Sequence, residues 1–317
     1  MLRACTGMQD ARAQRLAAAR GAQPFAYCSA ARDSNSKPTN RSSPITRASW
    51  PASMTWRCKR ATAPRDGSVR SVERRHLALR SDALGTDLGV IAYGHYGRPL
   101  LAFPAQQGNC WDYESNGMIG AIADLIDAGR VKAYCVDAID GQTWFDDSLP
   151  LEERARRHGF YEDWIINHVA PFIHADCGGA QEIIVNGPSF GAYHAANFTL
   201  KRGDLFPLAI CHSGLYDVST VGWGERGDAV YFNNPADYVA QLGGDHLEWM
   251  RGQVNLLVVC GQGQWEDTTG ALESTKAFSG LLASKGIRHE MDLWGHDVPH
   301  DWPSWRNQLA HHLPRFC

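Results

Sequence analysis

The chain has 317 residues, 44% of them hydrophobic, which suits one large α/β domain or two small ones with a sizeable core. The net charge is only −3 and no apolar run approaches the roughly 18 residues that cross a bilayer, so neither a membrane span nor a uniformly basic nucleic-acid-binding chain is expected. Nine cysteines without C-x-x-C spacing argue against a disulfide framework or a zinc site and favour a reducing, cytoplasmic setting.

The N-terminal part of the chain differs from the rest in charge and composition. Residues 1–80 contain 16 Lys and Arg but 4 Asp and Glu, a net charge of +12, whereas the remainder carries −15. Residues 1–68 show no sustained periodicity and few aliphatic side chains, which predicts a disordered extension. It resembles an organelle transit peptide, but could also be a basic arm for nucleic acid or spurious sequence upstream of the true start. We favour a dispensable or spurious extension before a single folded domain over residues 69–317.

Order is expected to begin near Ser71, with strands and helices alternating from there to the C-terminus. The first two strands, joined by a glycine-containing turn, are expected to form the one antiparallel hairpin, and residues 214–234 are expected to be irregular. Strands that alternate with helices predict parallel pairing, hence a doubly wound, mostly parallel α/β sheet in a single domain. The predicted strands are 88–93, 99–104, 131–137, 182–185, 208–213, 254–260 and 289–294, and the predicted helices are 118–129, 149–173, 190–200, 272–282 and a final C-terminal helix.

The most informative motif is G-x-S-x-G over residues 187–191. A β-branched strand precedes it and a helix-compatible segment follows it, which is the strand–turn–helix context of a nucleophile elbow. A Cβ at Gly187 or Gly191 would crowd such a turn. The string alone is weak, since an ordinary turn serine gives it too, but its context favours Ser189 as a nucleophile.

A serine hydroxyl needs a base and an acid, and on this architecture they follow in the order Ser, acid, His. The strand 254–260 runs into Glu266 and Asp267, which are both candidates for the acid. The last strand is followed by His296 and His300, which are both candidates for the base. All three roles are therefore filled in the required order, after strands that are expected to end at one edge of the sheet.

From about Ser71 to Phe316 the chain resembles the putative-esterase branch of the α/β-hydrolases, which includes esterase D-type enzymes, feruloyl esterases and mycobacterial mycolyltransferases. The matching stretches are residues 187–191, 260–267 and 300–305. The last of them, a histidine followed by a polar residue and two spaced tryptophans, implies that His300 rather than His296 is the base. Ungapped matching implies Asp267 as the acid and one deletion implies Glu266; we place Asp267 first.

The oxyanion hole is expected to use two backbone N–H groups. One belongs to Phe190, the residue after the nucleophile, and the resemblance assigns the other to Gln106 in the loop 105–108, although this loop lacks the Gly-Gly run of many lipases. Aromatic residues on loops after strands could line an acyl or aromatic pocket or could simply cap the core. They are Trp111, Trp144, Phe145 and Trp223.

The sequence thus predicts a serine carboxylic-ester hydrolase that works through an acyl-enzyme on a small-molecule ester. Acyl transfer to an alcohol, as in mycolyltransferases, and a non-catalytic binding protein on the same fold are the alternatives. No nucleic-acid partner is expected, because residues 81–317 are acidic overall. No cofactor is expected either. A metal site at residues 296–301 is disfavoured by Pro299 and the loop context. The sequence does not indicate an oligomeric state.

Overall fold

The computed structural model describes residues 72–317, which fold around one eight-stranded sheet. The predicted extension over residues 1–68 lies outside the described residues. From one edge to the other the strand order is 1-2-4-3-5-6-7-8. The strands are β1 (Arg74–Ser81), β2 (Thr86–Tyr93), β3 (Arg98–Ala102), β4 (Val131–Val136), β5 (Ile184–Pro188), β6 (Leu208–His212), β7 (Asn255–Cys260) and β8 (His289–Leu293).

Six strands, from β4 across to β8, run parallel, while β2 pairs antiparallel with both β1 and β4. The central strands read as continuous apolar runs because helices cover both faces of the sheet, and all six residues of β4 are buried. The predicted doubly wound, mostly parallel α/β sheet is therefore confirmed.

The antiparallel hairpin at the front of the chain is not the one predicted. Strands β1 and β2 form it, whereas β2 and β3 are separated by β4 and do not pair. Strand β1 gave no hydrophobic signal because it is an edge strand in which exposed and half-buried residues alternate. The predicted pairing of strands 88–93 and 99–104 is wrong because β4 takes the place between them.

Helices pack on both faces, and the alternation of side chains along each strand supplies both cores. In β3, Leu101 belongs to the same buried cluster as Trp164 on one face, and the residue before it, Leu100, belongs to the cluster that contains Leu309 on the other. The helices are α1 (Asp112–Ser115), α2 (Met118–Ala121), α3 (Ala123–Asp127), α4 (Leu151–Trp164), α5 (Ala170–Asp176), α6 (Phe190–Lys201), α7 (Asp228–Asn233), α8 (Pro235–Gln241), α9 (Gly244–Gln253), α10 (Ala271–Ser284) and α11 (Trp302–His312).

Three stretches differ in detail from the predictions. The helix expected over 118–129 is broken at Ile122 into α2 and α3. The long helix expected over 149–173 is α4, a π-helical turn over Ile165–Val169 and then α5, which carries a proline in its first turn. Because Pro171 lacks an N–H, the regular hydrogen-bond ladder cannot continue unchanged there. The stretch expected to be irregular contains α7. None of the helices within 72–317 is long and apolar enough to cross a membrane.

Candidate active site

Strand β5 and helix α6 meet at Ser189, whose backbone lies in a strained conformation. Its φ is 53° and its ψ is −121°, which is rare for a residue with a side chain. A Cβ on Gly187 would lie 2.2 Å from the carbonyl oxygen of Gly191, and one on Gly191 would lie 2.3 Å from the carbonyl oxygen of Pro104. Glycine is therefore required at both positions for the sharp turn that presents the serine hydroxyl.

His300 lies between the serine and a carboxylate. Its Nε2 is 3.0 Å from Ser189 Oγ, and its Nδ1 is 3.0 Å from Glu266 Oε2. In the arrangement that suits catalysis the hydroxyl donates to Nε2, and Nδ1–H donates to the carboxylate. His296, the other candidate base, is exposed, and its Nδ1 lies 3.2 Å from the carbonyl oxygen of Gln262.

The expectation that Asp267 lies beside His300 is corrected by the structure, which places Glu266 there. Glu266 holds that position with a side chain that is 1% exposed, whereas Asp267 is exposed and its Oδ1 accepts from the Thr268 N–H. The physical reason is the turn before the acid, in which Trp265 has a φ of 71° and the Glu266 N–H donates to Gly263. This turn directs Glu266 inward and its neighbour toward solvent.

Residues that the sequence did not single out hold the second oxygen of this carboxylate. Ser213 Oγ donates to Glu266 Oε1 at 2.5 Å and accepts from the indole N–H of Trp305 at 3.2 Å. The Trp305 ring also packs edge-on against His300, with centroids 5.0 Å apart. Buried hydrogen-bonded networks of this kind fix the orientation of their members. The sequence pattern after His300 indicated Trp305 among these residues, but nothing in the sequence indicated Ser213.

Cys260 completes the surroundings of the Glu266 carboxylate. Its thiol lies 3.4 Å from Glu266 Oε2 at the end of β7. Burial, together with the neighbouring Glu266 carboxylate, raises the pKa of this thiol to about 12. The thiol therefore remains protonated and acts as a weak donor rather than as a competing negative charge.

Backbone hydrogen bonds tie the loop that carries His300 to the loop that carries the acid. The Gly263 N–H donates to Val298 at 2.9 Å, and the His300 N–H donates to Gln264 at 3.0 Å. Asp301 then caps helix α11 by accepting from the Ser304 N–H at 2.9 Å. His300 and Glu266 are therefore positioned by one shared pair of loops.

The two expected oxyanion donors lie on the turn 105–108 and at the start of α6. Phe190 is the first residue of α6, so its N–H has no partner within the helix. In the turn, the Gly108 N–H donates to Ala105 and the Gln107 N–H donates to Asp140, while no hydrogen bond of the described residues uses the Gln106 N–H. The role of Phe190 and Gln106 stays a prediction.

The aromatic residues proposed for a pocket divide into two groups. Trp111 and Trp223 are about half exposed, at 47% and 56%, and remain available to a ligand. Trp144 is fully buried and belongs to the core, and Phe145 packs edge-on against Phe190 at 4.8 Å. Trp265, which the sequence did not bring forward, is 50% exposed beside the acid.

No group of three or more His, Cys, Asp or Glu side chains within residues 72–317 is arranged to hold a metal ion. Of the residues weighed for such a site, His300 is engaged by the serine and the glutamate, and Asp301 by its helix.

Comparisons with known proteins agree with the fold. A family model described as Putative esterase matches residues 91–316, and no curated protein matches the chain. Among solved structures, a ferulic acid esterase has 17% identity and a TM-score of 0.61 over 78% of this chain and 98% of its own.

Two further structures are similar. The S-formylglutathione hydrolase FrmB from Staphylococcus aureus has 12% identity and a TM-score of 0.56 over 78% of this chain and 97% of its own. MPT51 (FbpC1) from Mycobacterium tuberculosis has 15% identity and a TM-score of 0.58, over 77% of this chain and 98% of its own. At these identities the structures show the fold, and the family model shows the membership. The chain therefore belongs to the Putative esterase family on the α/β-hydrolase fold, and is a carboxylic-ester hydrolase.

Proposed function

We propose that the protein cleaves small-molecule carboxylic esters through a triad of Ser189, His300 and Glu266 and a covalent acyl-enzyme. His300 Nε2 accepts the proton of Ser189 Oγ as that oxygen attacks the ester carbonyl, and Glu266 stabilises the imidazolium that forms. The N–H groups of Phe190 and Gln106 donate to the oxyanion. His300 then protonates the departing alcohol, and a water that it deprotonates releases the acid and restores the serine.

The observation that carries this proposal is the unbroken line of hydrogen bonds from serine to histidine to glutamate, each 3.0 Å long. It joins residues that are far apart in sequence and ends at a serine held in a strained backbone conformation. Strain of this kind persists where the surrounding structure enforces it and is common at active sites.

Turnover of p-nitrophenyl esters of graded chain length, compared between the wild type and Ser189→Ala, tests the nucleophile. We expect Ser189→Ala to fold normally and to lose about 10⁴-fold in kcat. An active-site phosphonate should add to Ser189 in the wild type, as located by mass spectrometry. Absence of both turnover and labelling in the wild type would instead support the non-catalytic alternative.

Product analysis separates hydrolysis from acyl transfer, because both reactions pass through the same acyl-enzyme. With a primary alcohol present at increasing concentration, free acid should remain the main product. If the new ester predominated at low alcohol concentrations, the protein would be an acyltransferase.

We further propose that residues 69–317 form the catalytic domain and that the protein acts in a reducing, cytoplasmic setting. Support for the boundary comes from the sheet, which begins at Arg74, and support for the setting from six free cysteines among the described residues. A chain starting at Val69 should keep its Tm and kcat/KM, and a loss of several degrees would contradict the boundary. Recovery of the native protein in a secreted or membrane fraction would contradict the setting.

A further inference from the structure

A second histidine–carboxylate pair is buried near the nucleophile but is not part of the triad. His194 Nε2 lies 2.9 Å from Asp140 Oδ1, and the two side chains are 0% and 1% exposed. Asp140 begins a short helical turn after β4, and His194 lies on α6, the helix that begins directly after Ser189. Because burying a carboxylate is costly unless its oxygens are satisfied, its contacts indicate what it holds in place.

The other oxygen of Asp140 binds the turn that carries Gln106. The backbone N–H of Gln107 donates to Asp140 Oδ2 at 3.1 Å. Gln107 has a φ of 55°, a left-handed conformation that is uncommon for a residue with a side chain. The carboxylate therefore holds the backbone of the turn in an unusual conformation, one residue after the proposed oxyanion donor.

Asp140 thus connects the two segments that carry the proposed oxyanion donors, α6 with Phe190 and the turn with Gln106. The segments already touch where Gly191 meets Pro104, with no room for a Cβ between them. The Gly108 end of the turn is also fixed, because its carbonyl accepts from the Ala138 N–H at 3.2 Å, and the Asp140 bridge adds an attachment directly beside Gln106. An oxyanion hole requires this, because both N–H groups must point at one oxygen about 2.7–3.1 Å away.

The surroundings of His194 keep its end of the bridge fixed. Its ring packs against Phe190 at 5.3 Å and Tyr193 at 5.1 Å, and is stacked on the His158 ring at 5.4 Å. Burial, with a smaller contribution from His194, holds the pKa of His158 well below its usual range. His158 is therefore neutral and adds no positive charge beside the pair.

We propose that Asp140 and His194 are positioning residues that orient the Gln106 N–H toward the oxyanion. The inference rests on the proposed function, since it assigns these residues to the same ester-cleaving site. Neither residue touches the reacting atoms in this role. They act through the backbone of the turn, so their removal should weaken transition-state stabilisation more than substrate binding.

The test compares Asp140→Ala and Asp140→Asn with a control, Asn197→Ala. Asn197 is buried on the same helix, and its Oδ1 accepts from the Tyr238 hydroxyl at 3.0 Å, away from the turn. For each variant we measure kcat and KM with a p-nitrophenyl ester and Ki for an aryl trifluoromethyl ketone. The Ser189 oxygen adds to this ketone and gives a tetrahedral oxyanion.

We expect Asp140→Ala to lower kcat about 10²-fold and to raise Ki by a similar factor, while KM changes by less than about threefold. Asp140→Asn should recover most of this loss, because its amide oxygen can accept from Gln107 and its N–H₂ can face His194 in the other tautomer. Asn197→Ala should leave kcat and Ki unchanged.

The proposal is overturned if folded Asp140→Ala keeps kcat and Ki within about threefold of the wild type. If Asp140→Ala does not fold, His194→Phe tests the proposal instead, since the phenyl ring fills the space of the imidazole but cannot bond to Asp140. A loss of about tenfold in kcat supports the proposal, and an unchanged kcat refutes it. A wild type without Ser189-dependent turnover would refute the proposed function itself. A fully active wild type with unaffected variants would refute only the positioning role.

Discussion

Two pairs of a histidine and a buried carboxylate, His300–Glu266 and His194–Asp140, have almost the same N···O distance, at 3.0 and 2.9 Å. They differ in what the second ring nitrogen meets. His300 Nε2 reaches Ser189 Oγ from a side chain that is 10% exposed, whereas His194 Nδ1 is buried with no hydrogen-bond partner in the part of the chain that the structure describes. The pairing alone does not make a histidine a base, because a base also needs a nucleophile and access for substrate.

The two carboxylates also differ in what their second oxygen contacts. The second oxygen of Glu266 accepts from the hydroxyl of Ser213 in the interior, while that of Asp140 accepts from a backbone N–H in a surface turn. The first carboxylate is therefore held by side chains and orients its histidine, and the second holds a piece of backbone. The same chemical pair can thus serve proton transfer or loop positioning, depending on its remaining contacts.

The largest loss of activity is expected from His300→Ala, which removes the histidine of the His300–Glu266 pair. We expect a loss of about 10⁴-fold in kcat, equal to that of Ser189→Ala, and a double variant that is little worse than either, because triad members act as a unit. His296→Ala is the control and should cost about tenfold or less. Steady-state kinetics on one p-nitrophenyl ester would decide, and an inactive His296→Ala beside an active His300→Ala would contradict the assignment.

Removing the charge of the acid should have the next largest effect. Glu266→Gln should lower kcat about 10³-fold, since it no longer stabilises the imidazolium and can favour the wrong tautomer. Asp267→Asn is the matched control on the adjacent, exposed carboxylate and should stay within about twofold of the wild type. Equal losses in the two variants, measured on active-site-titrated protein, would count against Glu266.

His212 extends the contrast to a buried histidine whose Nδ1 lies 3.1 Å from an amide oxygen, that of Gln308, rather than a carboxylate. Burial is the main cause that lowers its pKa to about 3. Between pH 6.5 and 3 the unfolded chain therefore binds a proton that the folded chain does not, so stability is complete above about pH 6.5 and is lost as the pH falls. From pH 6.5 to 5.0 this amounts to about 2 kcal/mol of unfolding free energy.

Urea unfolding at several pH values between 7 and 5 checks this prediction. His212→Gln removes the titrating group, so the decrease in its unfolding free energy over this range should be smaller by about 2 kcal/mol. Parallel pH dependences in the variant and the wild type would show that His212 titrates normally in the folded protein.

The smallest expected effect concerns the hydroxyl that supports Glu266. Ser213→Ala leaves one buried carboxylate oxygen without its donor, and we expect kcat to fall about tenfold with a modest loss of stability. Ser274→Ala is a suitable control, because its hydroxyl accepts from the Tyr216 N–H. A kcat unchanged in Ser213→Ala would mean that the other contacts orient the acid unaided.

The features that the sequence could predict are those encoded by residues close together along the chain. The elbow around Ser189 needs a strand, two glycines and a helix in succession, and all of these can be read from adjacent residues. The doubly wound sheet follows from the alternation of apolar strands and helices. The choice of His300 over His296 came from the resemblance to known esterases over residues 300–305, since spacing alone left both open, and the structure brings His300 to the serine.

What the sequence could not predict depends on contacts between distant segments. Whether Glu266 or Asp267 faces inward is decided by the turn at Trp265, and neighbouring carboxylates carry no signal of it. The Asp140–His194 pair joins residues 54 positions apart, from two different elements. Strand β4 lies between β2 and β3 for the same reason, since strand order is set by packing of the whole sheet.

The protonated thiol of Cys260 has a consequence for chemical labelling of the enzyme. With a pKa of about 12, the thiol is almost entirely protonated at pH 7, although its sulfur lies 3.4 Å from Glu266 Oε2. Alkylating reagents act on thiolates, so the folded active site should tolerate iodoacetamide. Accessible cysteines can therefore be blocked first, which leaves Ser189 as the group that a phosphonate probe reports.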